Sequence, residues 1–251
     1  MDILSHIDDA HVGHIQISRA ERKNSLTAAM YQTMVDTMRE YDANNDVRVI
    51  LLYGLPEMFC AGNDLSDFLH NPMKGVGSPV IQFLYTLRDL QKPLVMSVNG
   101  VAVGIGVTML LHADFVVAAE DAKFQLPFIN LALCPEGGSS LLLAQRAGYL
   151  RAAEKLMFGD FFSAKEALDM QVVSHVLPHH ETLRYAVHQA HRLAEKSPAA
   201  LRETKRLLKV TNADALRKAL DVEIASFAEM LKGDDAREAM TAFLEKRKPI
   251  F

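Results

Sequence analysis

The sequence predicts an α/β protein that ends in a helical region without strands. Short β-rich runs alternate with stretches of helical periodicity up to about residue 195, which favours an α/β chain over a sandwich. Beyond "EKSPAAL" (195–201) no strand-like run remains. At 251 residues, with 49% hydrophobic and 23% charged side chains, the chain has room for one large domain and an appendage. The expected division is a core over 1–195 and a helical region over 196–251. Two or three helices cannot build a sizeable core alone, so that region must pack on the main domain or on another subunit.

The expected strands, in order, are "GHIQIS" (13–18), "VRVILLYG" (47–54), "PLVMSVNG" (93–100), "DFVVAA" (114–119) and "QVVSHV" (171–176). A helix is expected from Thr27 to Tyr41. Met30, Met34, Met38 and Tyr41 recur there at helical spacing, and the Thr27 hydroxyl can cap its first turn. Such a methionine stripe reads as core filling. In the last region, Leu216, Leu220, Ile224, Phe227 and Leu231 form an apolar stripe at spacings of three or four, and a further helix is expected from about Asp234 to Glu245.

Several function classes lose support at this level. A net charge of −4 leaves no basic footprint for nucleic acid. Two cysteines, Cys60 and Cys134, define no disulfide framework and fit a reducing compartment. The opening "MDILSHIDDA" lacks a basic segment and an apolar signal core. The apolar stretch "VAVGIGVTMLL" is too short to span a bilayer and is broken by glycines, and the final "KPIF" is not the peroxisomal tripeptide. The expectation is a cytoplasmic protein with no membrane and no nucleic-acid partner. Ten histidines are scattered, and the pair His179–His180 reads as surface loop, so no metal is expected.

Three segments could carry chemistry. In "MFCAGNDLSDF" (58–68), small residues would let a backbone approach a ligand and turn its N–H groups toward an anion; the plainer reading is a β-to-α turn with Asp64 or Ser66 as cap. In "VNGVAVGIGVTMLLHAD" (98–114), a strand runs through a loop with Gly100, Gly104 and Gly106 into an apolar helix. No Gly-Lys-Ser/Thr follows, so it is not a phosphate loop, and a third glycine for a dinucleotide fingerprint is missing. What remains is a turn with outward N–H groups at a helix start, which suits an oxyanion hole. In "NLALCPEGGSSLLL" (130–143), Glu136 stands between Pro135 and two glycines in apolar surroundings. It reads either as a helix-start acid favoured by the macrodipole or as a general base aimed into an apolar pocket. Together, two sets of backbone donors and one acid are what enolate chemistry needs.

"ERKNSLT" (21–27), "FCAGNDL" (59–65), "VNGVAVGIG" (98–106), "FSAKEALDMQVVSHVLP" (162–178) and "FLEKRKPIF" (243–251) together resemble, in order, segments of the crotonase superfamily, the enoyl-CoA hydratase/isomerase family. The resemblance covers essentially the whole chain. It implies a crotonase-like spiral of ββα turns, a C-terminal helical trimerisation region, and a homotrimer or dimer of trimers. It also implies an acyl-CoA thioester substrate whose carbonyl accepts N–H bonds from Asn63 and Ile105. Coenzyme A is then part of the substrate, and no separate cofactor is expected. Arg22, Lys23, Ala61, Gly62, Asp64, Leu65, Gly104, Phe128 and Leu133 fall at substrate-binding positions. For Arg22 and Lys23 a solvated basic turn competes with a CoA contact, and for Lys246, Arg247 and Lys248 a solvated helix end competes with a CoA phosphate contact.

The departures from the family pattern narrow the reading. The two catalytic glutamates of the hydratases align to Thr108 and Phe128, neither of which can activate water. "LCPEGGSS" instead resembles the 3,2-enoyl-CoA isomerase branch, in which a Pro-Glu-Gly segment supplies the single acid, here Glu136; Ile105 in place of a glycine also fits that branch. Leu126, Phe128 and Leu133 would raise the pKa of Glu136. Alternatives are a hydratase of the same family, a silent acyl-CoA-binding protein, and a serine hydrolase using Ser139 or Ser140, neither of which sits in a nucleophile turn. Asp114 is expected to close a structural turn.

Overall fold

The computed structural model describes residues 2–70 and 75–251. In chain order the elements are β1 (Ile3–Ile7), β2 (Val12–Ile17), α1 (Ala28–Ala43), β3 (Val49–Tyr53), α2 (Leu65–His70), α3 (Pro79–Asp89), β4 (Leu94–Val98), β5 (Val101–Val103), α4 (Ile105–Thr108), β6 (Phe115–Ala119) and β7 (Lys123–Gln125). They continue with α5 (Ser139–Ala147), α6 (Tyr149–Phe158), β8 (Phe161–Ser163), α7 (Ala164–Asp169), β9 (His175–Leu177), α8 (His179–Ala194), α9 (Pro198–Val210), α10 (Ala213–Met230) and α11 (Asp234–Leu244).

The main sheet runs β1-β2-β3-β4-β6-β9, parallel except for the β1–β2 hairpin. Its middle strands are buried on both faces, which is why they read as unbroken apolar runs. Along β3, Ile50 and Leu52 enter the larger core, while Val49 and Leu51 face α8 with its small Ala186, Ala190 and Ala194. A second sheet, β5-β7-β8, stands beside the first.

The methionine stripe behaves as core: Met30, Met34, Met38 and Tyr41 are buried, and the Thr27 hydroxyl accepts the Met30 N–H at 3.3 Å. "QVVSHV" pairs only through its end, in β9. Val172 and Val173 are buried in the preceding turn, their N–H groups bonded to the Ala167 carbonyl, so they close α7 instead of extending the sheet. Asp114 ties a turn as expected: Oδ2 accepts the Leu94 N–H (2.8 Å) and the Lys205 ammonium (2.6 Å). His179 pairs with Asp121 at 3.1 Å.

Helices α9 to α11 follow residue 196, and Leu216, Leu220, Phe227, Ala236 and Met240 join the larger core. The stripe on α10 therefore packs largely on its own chain. Among the described residues, no helix is long and apolar enough to cross a membrane.

Candidate active site

Three turns converge at one end of β5. In the first, the Cys60 N–H bonds the Val101 carbonyl (3.0 Å) and the Cys60 carbonyl accepts the Val103 N–H (2.9 Å), laying residues 60–63 along the strand. Neighbouring donors are occupied: Ala61 N–H on the Lys23 carbonyl (3.2 Å), Gly62 N–H on Cys60 Sγ (3.4 Å) and Asp64 N–H on the Leu26 carbonyl (2.9 Å). Between them, the Asn63 N–H has no acceptor among the described residues. Its side chain is held from α1, where the Tyr31 hydroxyl donates to Asn63 Oδ1 at 2.5 Å. Burial holds the Tyr31 phenol far above its usual pKa, so it stays a donor.

In the second turn, Gly104 donates to the Gln125 carbonyl (2.9 Å) and accepts the Val107 and Thr108 N–H groups (2.8 and 3.0 Å), which opens α4. The N–H of Ile105 has no acceptor among the described residues, and its side chain is buried in the core. The bulk of Ile105 is thus spent on packing. Only a glycine fits at 106, since a β-carbon there would stand 2.8 Å from the Cys60 carbonyl oxygen. That close approach binds the two donor turns to each other.

The third turn carries Glu136, 7% exposed, whose Oε1 accepts the Thr108 hydroxyl at 2.6 Å. Gly137 and Gly138 follow with φ of +72° and +74°. A β-carbon on Gly137 would lie 2.9 Å from Thr108 Oγ1, and one on Gly138 2.6 Å from Leu216 Cδ1, so the loop is clamped between α4 and α10. Its backbone is fixed throughout. The Glu136 carbonyl accepts the Ser139 hydroxyl (2.7 Å) and N–H (3.2 Å), and the Gly137 carbonyl accepts from His112 Nε2 (2.7 Å). Burial pushes the His112 pKa down to about 4, which keeps the ring neutral with its proton on Nε2.

The helix start itself belongs to another acid. The carboxylate that takes the Gly138 and Ser140 N–H groups at the start of α5 is Glu223 of α10 (2.6 and 2.9 Å). Glu136 is left to point at Thr108. Burial pushes the Glu136 carboxyl up to about 8; the Thr108 hydroxyl opposes that rise and the Glu223 charge adds to it. Leu126, Phe128 and Leu133 are buried, and Phe128 Cε1 comes within 4.0 Å of where a β-carbon on Gly104 would sit.

The outer positions divide. Arg22 and Lys23 are exposed, and Lys23 meets the donor turn through its carbonyl. Asp64 is occupied structurally: it pairs with Arg19 at 2.8 Å and caps α2 through the Ser66 and Asp67 N–H groups, with Leu65 beginning that helix. Arg247 is neutralised by Glu238 (2.5 Å) and Glu245 (2.6 Å), while Lys246 and Lys248 stand exposed beside it. The Ser139 and Ser140 hydroxyls are engaged by the Glu136 carbonyl and the Glu223 carboxylate, not by a histidine. Among the described residues, no three His, Cys, Asp or Glu side chains gather as a metal site.

Sequence reasoning missed Tyr31, His112 and Glu223, and it took Thr108 only as a lost acid. Thr108 had a signal, since the family alignment puts a catalytic position there. Tyr31 and His112 had none, because Tyr31 sits beside the methionine stripe of α1 and His112 ends the apolar turn Met109–His112 that follows α4.

Comparison with known proteins gives the family. The profile of the enoyl-CoA hydratase/isomerase family matches residues 8–251. A 1,2-epoxyphenylacetyl-CoA isomerase of Escherichia coli K12 is 32% identical over 256 residues, covering 99% of this chain and 97% of its own. A 2,3-dehydroadipyl-CoA hydratase of the same organism is 31% identical over 238 residues, covering 94% and 93%. Among solved structures, an enoyl-CoA hydratase/isomerase from Pseudoalteromonas atlantica T6c superposes with a TM-score of 0.94 at 32% identity over 100% of both chains. Pseudomonas aeruginosa OdaA does so with 0.94 at 37% identity, covering 97% of this chain and 98% of its own. The profile match and the full-length relatives lead to one conclusion: the chain belongs to the enoyl-CoA hydratase/isomerase family of the crotonase superfamily, whose substrates are acyl-CoA thioesters.

Proposed function

We propose that this protein moves the double bond of a 3-enoyl-CoA to carbon 2, using Glu136 as its one acid–base group. The observation that carries this reading is the buried carboxyl of Glu136, lifted to about 8 and bonded to a threonine where a second acid would be needed to activate water. The carboxylate of Glu136 removes a proton from carbon 2. The electron pair moves onto the thioester oxygen, which accepts hydrogen bonds from the Asn63 and Ile105 N–H groups. The protonated Glu136 then gives its proton to carbon 4, and the double bond forms between carbons 2 and 3. One base serves both ends when both proton positions lie on the same face of the acyl chain.

Each oxyanion donor contributes roughly 3–4 kcal/mol to the transition state, and a positioned base roughly 10²–10⁴-fold. The thioester oxygen carries far more negative charge in the enolate than in the ground-state carbonyl, so the Asn63 and Ile105 N–H groups favour the enolate. In this reading Arg22 and Lys23 face the nucleotide part of CoA, Ala61, Gly62, Leu65 and Gly104 border the thioester, and Phe128 and Leu133 line the acyl path.

A hydratase is the second reading, favoured by the hydratase relative at 31% identity. The test is a panel of 3-enoyl-CoA and 2-enoyl-CoA substrates read by product identity. Crotonyl-CoA is expected to be hydrated far more slowly than a 3-enoyl-CoA is isomerised. Hydration as fast as isomerisation would overturn the assignment. Binding of acyl-CoA with no exchange of carbon-2 protons in deuterated water would instead mark a silent binding protein.

A further inference from the structure

Glu223 is 6% exposed on α10, which begins well after the core region, yet it reaches the turn that follows Glu136. Its Oε2 accepts the Gly138 N–H at 2.6 Å, and its Oε1 accepts the Ser140 N–H at 2.9 Å together with the Ser140 hydroxyl. Three donors therefore converge on two oxygens. An ionised carboxylate meets all of them, whereas an amide or a protonated acid would set one of its own hydrogens against a donor. On the same helix, Leu216 and Leu220 close over Gly138.

We propose that Glu223 is a positioning residue for Glu136: the C-terminal helical region, by gripping Gly138 and Ser140, fixes the acid–base carboxyl of its own subunit. The proposal rests on Glu136 being the base. Most helix starts are capped by the side chain of their own N-cap residue, with no carboxylate brought from another helix. The chain instead has glycine there and buries a carboxylate from 85 residues away. Burial raises the proton affinity of Glu223, which its three hydrogen bonds oppose, and its charge acts on Glu136 across the turn.

The groups facing this pair are few. Thr108 donates to Glu136, and Tyr31 of α1 feels the charges of both Glu136 and Cys60. The Cys134 thiol faces the Glu223 carbonyl, and His112 holds the Gly137 carbonyl. His112 titrates near 4 and Cys60 near 12, while the Cys134 thiol and Tyr31 phenol are raised above their usual values. Of this cluster, Glu136 is the group whose pKa, about 8, falls within about pH 6–9.

The experiment compares the full-length protein with Glu223→Gln, Ser140→Ala and Glu136→Gln, recording kcat, KM and melting temperature across that range. Glu223→Gln is expected to lower kcat tenfold or more with KM nearly unchanged, because the turns at 60–65 and 104–105 are untouched. Its acid limb should move to lower pH, since a negative charge has left the surroundings of Glu136. A residue with only a structural role would lower the melting temperature and leave both kcat and the limb in place. Ser140→Ala removes one donor of the three and is expected to lower kcat about threefold at constant KM. It decides the matter if Glu223→Gln does not fold. Full kcat in the folded variants, or an unmoved limb in Glu223→Gln, overturns the proposal while an inactive Glu136→Gln leaves the isomerase reading standing. Retained turnover in Glu136→Gln overturns both.

Discussion

A carboxyl lifted to about 8 is mostly protonated at neutral pH, so Glu136 acts as a base only as the pH rises toward that value. In the free enzyme kcat/KM is expected to climb through an acid limb near 8. The same shift has a stability sign. As the pH rises from about 4.5 to about 8, the unfolded chain loses this proton first, and the folded state loses stability across that window. Glu136→Gln removes the penalty. The variant should lose roughly 10²–10⁴-fold in turnover while matching the wild type in urea melts at low pH and exceeding it at pH 8 by up to a few kcal/mol. Turnover retained by a folded Glu136→Gln would contradict the mechanism. Thr108 works in the opposite direction, because its hydroxyl stabilises the carboxylate. Thr108→Val should move the limb to higher pH and lower turnover at neutral pH about tenfold, a hydrogen bond to a charged group being worth about 1.5–3 kcal/mol. An unchanged pH profile would show that the 2.6 Å contact does not tune the base.

At the scale of elements, the site depends on turns more than on helices. Gly137 has φ +72° and no room, since its β-carbon would stand 3.0 Å from that of Thr108. Gly137→Ala is expected to cost about 1–3 kcal/mol in denaturant melts and to lower turnover by pushing Thr108 off Glu136. Unaltered turnover would mean that the loop can shift without consequence. These turns were legible in the sequence because glycines, a proline and a lone acid interrupt apolar runs. The long strands were legible because burial on both faces leaves continuous apolar residues. The second sheet was not: β5, β7 and β8 span three residues each, too few for an alternation to show. Glu223 was hidden by register. On α10, positions 223 and 224 both fall between Leu220 and Phe227 at helical spacing, and the apolar residue was the natural choice for the buried face. The structure buries Glu223 and leaves Ile224 half-exposed, because the contact there is a row of N–H groups and not an apolar surface.

For the whole molecule, the stripe on α10 was expected to need other subunits as well as the core. Leu216, Leu220 and Phe227 are buried within the chain, which meets the core part of that expectation. Exposed apolar residues remain on several helices: Tyr149, Leu150 (81% exposed) and Phe158 on α6, Leu207 and Leu208 (77% exposed) on α9, Val222 on α10 and Phe243 on α11. Single exposed leucines are ordinary, whereas contiguous apolar patches mark association surfaces, and the pairs Tyr149–Leu150 and Leu207–Leu208 are the candidates. Burying one such leucine fully is worth about 1.5–3 kcal/mol before the cost of association, so a subunit contact needs several of them buried together. We expect a trimer or a dimer of trimers in solution, seen as a single mass by light scattering. Replacing Leu150 and Leu208 together with glutamate should lower that mass and leave the fold intact by circular dichroism, because neither side chain belongs to the core. A wild-type protein that stays monomeric at micromolar concentration would remove the expectation, and with it any contribution of a neighbouring subunit to CoA binding.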